Sequence, residues 1–383
     1  MTKKRPLYAS SSSSLQSHFW FGMKIVTSIS VFMCIFGLLR LQSRSSPSIV
    51  RDKVLEFGRR PVEPFFGTPK IAFLFLARRN LPLDFLWHAF FQNADKRTFS
   101  IYVHSEPGFV FDEFTTKSSF FYGRQLVKSV RVAWGESSMI KAERLLIDAA
   151  LRDPANRRFI LLSDSCVPLY NFSYVYNYVI SSPKSFVDSF LDAKDSRYNP
   201  KMSPMIPQDK WRKGSQWITL VRRHAEIVLA DDIIFPIFRK YCKRRPALDP
   251  GGNLIAQRVA QKEHNCIPDE HYMPTLLSMS ELDDELERRT ITYTSWNESA
   301  TEMEGNRWHP MKFGYKDASP EGIKRIKDIN HVYYETEYRT EWCHSNGTSV
   351  PCFLFARKFS PSAALRLLRD GVVGPVVANA LST

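Results

Sequence analysis

The sequence predicts an α/β fold built on a parallel sheet, and three observations carry that prediction. Residues 71–77 (Ile-Ala-Phe-Leu-Phe-Leu-Ala) form a continuous apolar run of strand length, the pattern of a strand covered on both faces. Leu83, Leu86, Trp87 and Phe90 then recur at helical spacing within residues 83–91. Phe99 to His104 is a second strand-like run, so strand, helix and strand follow in the order that builds a parallel pair. Ligands of such sheets bind beyond the carboxyl ends of the strands, which puts Arg78 and His104 at the ligand edge.

The remaining elements extend this opening. A third strand is expected over residues 127–133, followed by Trp134-Gly135 and a helix over 139–151. Residues 159–162 read as a fourth, buried strand, whose carboxyl end opens into Ser163-Asp164-Ser165-Cys166-Val167-Pro168-Leu169. Residues 174–180 are helical in pattern, and 222–245 form two helical pieces joined at Asp231-Asp232. Thr290 to Thr294 alternates like a short strand, Pro320 to Ile329 has helical period, and a last helix starts at Ser360 or Pro361 and runs to Arg369. Neither Gly-x-Gly-x-x-Gly nor a P-loop occurs, so a dinucleotide or ATP reading lacks its motif.

The 383 residues suffice for one large domain, and their formal net charge of +14 points to an acidic partner. Phe19 to Leu39 is apolar apart from Lys24 and three small hydroxyl residues, close to the ~20 residues that span a bilayer. Lys3, Lys4, Arg5 and Lys24 favour a cytoplasmic N-terminus, although Arg40, Arg44 and Arg51 follow the segment. The expected organisation is a cytosolic tail (1–18), a signal anchor (19–39), a stem with four prolines (40–69), a luminal domain (70–370) and a C-terminal tail (371–383). A cleaved signal peptide is the rival, but no small-x-small site follows Leu39.

Three glycosylation sequons, at Asn171, Asn297 and Asn346, agree with a luminal location. Cys343 and Cys352 bracket an Asn-Gly turn and suit a small disulfide loop; Cys242 with Cys266 is a second possible pair, leaving Cys166 over. No cysteine pair has zinc-ligand spacing, and in that compartment nucleic acid is not the expected partner.

The segment with the most chemistry is Cys266-Ile267-Pro268-Asp269-Glu270-His271-Tyr272. Proline suits the first helical turn, where the macrodipole favours the two acids that follow. Helix-start electrostatics alone would account for them; alternatively Glu270 is a general base in a cleft. Two further stretches are basic and aromatic: Trp211-Arg212-Lys213-Gly214-Ser215-Gln216-Trp217, and Phe353 to Phe359, whose apolar run ends in Arg357-Lys358.

In this order, the motifs resemble the core-2/I-branching β-1,6-N-acetylglucosaminyltransferase family, especially its plant branch of membrane-anchored relatives. The likeness is carried by Lys70–Ala77, Ile101–His104, Trp134-Gly135 with Ser137, Leu161–Leu169, Arg197–Asn199, Trp211–Trp217, Pro268–Glu270, His309-Pro310 and Leu354–Phe359. It implies a GT-A type fold, a Rossmann-like mixed sheet flanked by helices, after a single N-terminal transmembrane helix. It also implies an inverting transfer from a UDP-sugar, with N-acetylglucosamine as the namesake sugar, to a glycan or glycoprotein acceptor.

By the same resemblance Glu270 is the base and Lys358 binds the diphosphate, with no metal and no other cofactor. Inversion by single displacement needs one carboxylate to take the acceptor proton, and the departing UDP needs cationic stabilisation. Asp231-Asp232 and Asp283-Asp284 are adjacent pairs rather than Asp-x-Asp. A second cation fits best at Lys312, with Arg339 as rival, and Arg78, His104, Trp134 and Gly135 belong to the nucleotide-sugar side. His104 stands where the family carries an acid. Arg212, Lys213, Trp211 and Trp296 are expected to meet the acceptor. The location implied is the Golgi membrane, single-pass type II; the alternative function is an inactive luminal glycan-binding scaffold on the same fold.

Overall fold

The structure is a computed structural model and describes residues 23–36, 64–193, 197–244, 265–296, 310–345 and 347–373. The chain divides into two units, Met1–Lys53 and Val54–Thr383. In the first, residues 23–36 are helical and exposed along their length. Among the described residues no helix is long and apolar enough to cross a membrane, and both ends of the expected 19–39 span lie outside them.

The second unit is organised around strand β1 (Lys70–Leu76), which pairs in parallel with β2 (Phe99–His104) on one side and β3 (Asn156–Ser163) on the other. Beyond β3 the sheet continues through β6 (Thr219–Val221), β5 (Ser185–Phe186) and β7 (Leu286–Glu287). Strand β6 runs antiparallel to both neighbours, so the sheet is mixed. Alternation along β1 sends Ile71, Phe73 and Phe75 to one face and Ala72, Leu74 and Leu76 to the other. Helices α1 (Asp84–Phe91) and α3 (Phe172–Ser181) cover the first face, and the Phe73 ring lies 5.1 Å from Phe91. Helices α2 (Ser138–Leu151), α4 (Arg222–Ala230), α5 (Ile234–Tyr241) and α6 (Pro268–Met279) cover the second. Burial on both faces is why this strand reads as an unbroken apolar run.

Residues 127–133 correct the expected third strand: they form no strand, and Val127 is fully exposed. Their alternation has the right period but no ladder: the bridge to β2 pairs Val103 with Gln125, just before the segment, and within it the Val130 N–H meets the His104 side chain rather than the β2 backbone. At the α4–α5 junction the Asp231 carboxylate accepts the N–H groups of Ile233, Ile234 and Phe235 at 2.7–3.0 Å and the Tyr272 hydroxyl at 2.8 Å. It is a helix cap.

A smaller sheet joins β4 (Val167–Pro168), β13 (Phe355–Arg357) and β8 (Thr292–Thr294), with β13 antiparallel to β4 and parallel to β8. This sheet carries Arg357 and Lys358 back to the carboxyl end of β3. Helix α7 (Pro320–Lys327) precedes a hairpin of β9 (His331–Tyr334) and β10 (Arg339–Trp342). A second small hairpin, β11 (His344–Ser345) with β12 (Thr348–Ser349), is closed by the Cys343–Cys352 disulfide, and α8 (Pro361–Arg369) ends the described chain. Cys242 and Cys266 form the other disulfide, while Cys166 is a buried free thiol.

Candidate active site

A cleft of about 1510 Å³ opens at the carboxyl ends of the parallel strands. Arg78 after β1, His104 at the end of β2 and Ser163–Ser165 after β3 form its floor. Lys213–Trp217, Asp269 and Glu270 at the start of α6, and Arg357-Lys358 after β13 form its walls. The expected base and the expected diphosphate lysine, 88 positions apart in sequence (358 − 270), therefore face one space.

Glu270 sits in the first turn of α6, where Pro268 sets the helix start. Its Oε2 accepts a hydrogen bond from Arg197 Nη1 at 2.5 Å, a charge-assisted pair that fixes the carboxylate's direction. Its carbonyl accepts the Gly214 N–H at 2.8 Å, tying the helix start to the Trp211–Trp217 loop. Asp269, next in line, is buried and its Oδ1 has no hydrogen-bond partner. Burial first, and the Glu270 charge second, push its pKa up to about 7, against the pull of Arg357 and Arg197. Behind it Glu143 of α2 is fully buried, accepts from Gln216 Nε2 at 2.8 Å and is held well above the carboxylate range by burial.

The opposite wall is cationic. Arg357 lies over the Trp217 ring, 4.3 Å from its centroid, and burial depresses its pKa. Lys358 is depressed by desolvation, then by Arg357 and Arg78. Asp164, which accepts from Arg78 Nε at 3.1 Å, offsets part of this charge. Like charges held together at the mouth of a half-buried site are relieved by an anion.

His104 lines the cleft in a defined tautomer: its Nε2 accepts the Val130 N–H at 3.1 Å, so the proton is on Nδ1. Desolvation lowers its pKa to about 4, leaving a neutral ring at the end of β2. Trp134 lines the cleft under the Arg244 guanidinium, 4.1 Å above its ring centroid. Gly135 does not line it. Gly135 has φ +73°, and an added Cβ would meet Arg244 Cδ at 2.9 Å, so the glycine makes room for that stacked pair.

Lys213 and Trp296 also face the cleft, and Trp296 is half exposed. Besides Gly135, three expectations are corrected. Trp211 is core: it is buried, stacked 4.4 Å from the His271 ring and 5.4 Å from Phe238, so its faces are taken. Arg212 turns away and donates to the carbonyls of Asp209 and Trp211. Lys312 lies exposed outside the cleft lining. Its rival Arg339 is not in the lining either; it pairs with Glu337 at 2.8 Å and with Glu341, and stacks on Tyr334. Asn171 is exposed and caps α3 through its Oδ1, whereas Asn297 and Asn346 lie outside the described residues.

Sequence reasoning gave no role to Arg197 or Asp188. Arg197 comes from a loop without periodicity, and its Tyr-Asn neighbours were the only signal. Asp188 is half-buried in the cleft wall, accepting from Tyr334 Oη at 2.5 Å and from the Ser215 N–H at 3.0 Å. Burial raises its pKa to about 6.

A mixed sheet with a cleft of this kind at its carboxyl edge fits a GT-A-like transferase. Residues 71–327 match the Core-2/I-Branching enzyme family, and the chain belongs to that family of glycosyltransferases. It is 52% identical over 331 residues to Glycosyltransferase BC10 of Oryza sativa subsp. japonica, which covers 86% of this chain and 82% of the rice protein.

Proposed function

We propose that this glycosyltransferase moves a sugar, N-acetylglucosamine by its family's namesake, from a UDP-sugar to a hydroxyl of a glycan or glycoprotein acceptor, with inversion and without a metal. The observation that carries this reading is the shared cleft: a clamped carboxylate, Glu270, faces Arg357 and Lys358 across one space. Glu270 takes the acceptor proton as that oxygen attacks the anomeric carbon, and the cations take up the charge that develops on departing UDP. Arg197 aims the base.

The metal-free part is supported by Arg78, Arg357 and Lys358, which are among the side-chain cations of the lining. The Asp231 carboxylate, one of the acidic pairs, is committed to its helix cap. We place the enzyme in the Golgi membrane as a single-pass type II protein. The apolar run Phe19–Leu39 and the exposed sequon at Asn171 support this topology.

The test is thermal stabilisation by millimolar UDP with EDTA present, followed by a UDP-sugar screen for transfer. A shift that survives chelation is expected. Stabilisation and transfer that both vanish with EDTA and return with manganese would overturn the metal-free mechanism.

A further inference from the structure

The β9–β10 hairpin sorts its side chains onto two faces. Val332, Tyr334, Arg339 and Glu341 are buried or half-buried, whereas His331, Tyr333, Thr340 and Trp342 are exposed. The first face is cleft wall. Val332 lines the cleft, Tyr334 holds Asp188, and Arg339 donates to the Ser189 carbonyl at 3.2 Å. The hairpin's turn is pinned too, because Glu337 accepts from the Leu191 N–H at 3.1 Å and from Arg288 at 2.7 Å. The outward face is therefore rigid although it is bathed in solvent.

That outward face is aromatic. Trp342 and Tyr333 are 54% and 55% exposed, and the His331 and Trp342 rings sit opposite one another, centroids 4.8 Å apart. Large aromatic rings held out on a two-stranded ribbon are an association hazard unless something covers them. None of the four outward side chains is an acid, a lysine or an arginine, which suits neither a phosphate backbone nor an acidic peptide. They suit a sugar chain: the C–H face of a pyranose lies flat on an indole or phenol ring, while its hydroxyls meet the Thr340 hydroxyl and the imidazole at the rim.

We propose that this face is a distal subsite that stacks the glycan chain of the acceptor, beyond the unit that reacts at Glu270. The proposal rests on the transferase reading above, and the continuity of hairpin and cleft wall argues for it: one rigid ribbon borders the reaction site and presents the rings. Short acceptors would use the cleft alone, and longer ones both.

Affinity electrophoresis of the full chain through gels containing xylan, galactan or polygalacturonate tests this, comparing wild type with Trp342→Ala and with Tyr333→Ala/Trp342→Ala. At least one polymer should retard wild type, the double variant should bind it roughly tenfold more weakly, and Trp342→Tyr should restore much of the effect. The UDP-induced thermal shift should be the same in all four proteins, which also shows that they fold. Equal retardation of wild type and double variant, or no retardation of wild type by any polymer, would overturn the subsite. So would a wild-type dimer that the double variant loses in ultracentrifugation, since the rings would then serve a second copy. Retardation without any UDP shift would instead sink the transferase reading and leave the platform standing.

Discussion

A Cβ on Gly214 would lie 1.8 Å from the carbonyl oxygen of Asp188. The Trp211–Trp217 loop is wedged there between the cleft wall at Asp188 and the start of α6, where the Gly214 N–H meets the Glu270 carbonyl. A backbone atom cannot swing aside as a flexible side chain does. Gly214→Ala should therefore cost about 3 kcal/mol, at the upper end of overpacking penalties, read as a lower urea midpoint. An unchanged midpoint would show that the loop has slack the structure does not display.

Asp269 gives the cleft a pH signature. Its folded-state pKa of about 7 lies above the ordinary 3.8, so the folded protein disfavours its ionised form. Below the unfolded value this costs nothing. As pH rises from about 4 to 7 the unfolded chain releases the proton first, and stability falls by as much as ~1.4 kcal/mol per pH unit. Glu143, raised in the same direction, adds to the slope and extends it. Asp269→Asn removes one titration, so its stability relative to wild type should climb across that window. Parallel stability–pH curves for the two proteins would refute the assignment.

The disulfides should differ in value by loop length. Cys343–Cys352 closes a separation of 9 residues and Cys242–Cys266 one of 24. Chain entropy then assigns them about 2.6 and 3.4 kcal/mol. Cys343→Ser/Cys352→Ser should lower the urea midpoint less than Cys242→Ser/Cys266→Ser. The reverse order would mean that contacts of the small β11–β12 hairpin, rather than loop closure, set the cost.

What was legible in the sequence followed from local rules. Strands β1 to β3 and helices α1 to α3 could be read because burial on two faces makes unbroken apolar runs, and burial on one makes a 3.6-residue period. Residues 127–133 misled because strand period says nothing about whether a neighbour exists to pair with. Trp211 misled for a similar reason: an aromatic beside two cations reads alike whether its ring faces a cleft or, as here, His271 and Phe238. Glu270 and Lys358 were singled out through motifs and the structure puts both in one cleft lining, but the Arg197 clamp and the Asp188–Tyr334 bond join residues 73 and 146 positions apart. No periodicity encodes such a meeting; only the fold brings the partners together.

The division of labour across the cleft predicts opposite outcomes for its two walls. Glu270→Gln keeps the shape and leaves Arg357 and Lys358 in place, so UDP should stabilise the variant as it does wild type. Transfer should fall by several orders of magnitude, beyond the ~10²–10⁴ of proton transfer alone because the amide also loses its charge pairing with Arg197. Lys358→Ala should do the converse to binding, removing a charge-assisted contact worth ~1.5–3 kcal/mol and weakening UDP by roughly ten- to hundredfold. Arg197→Met should resemble a milder Glu270 variant, with slower turnover and unchanged UDP affinity, since it acts by aiming the carboxylate. Calorimetric UDP titration beside transfer kinetics separates the three. Equal turnover by Glu270→Gln and wild type would remove Glu270 from the reaction, and unaltered UDP affinity in Lys358→Ala would remove the cation wall from the donor site.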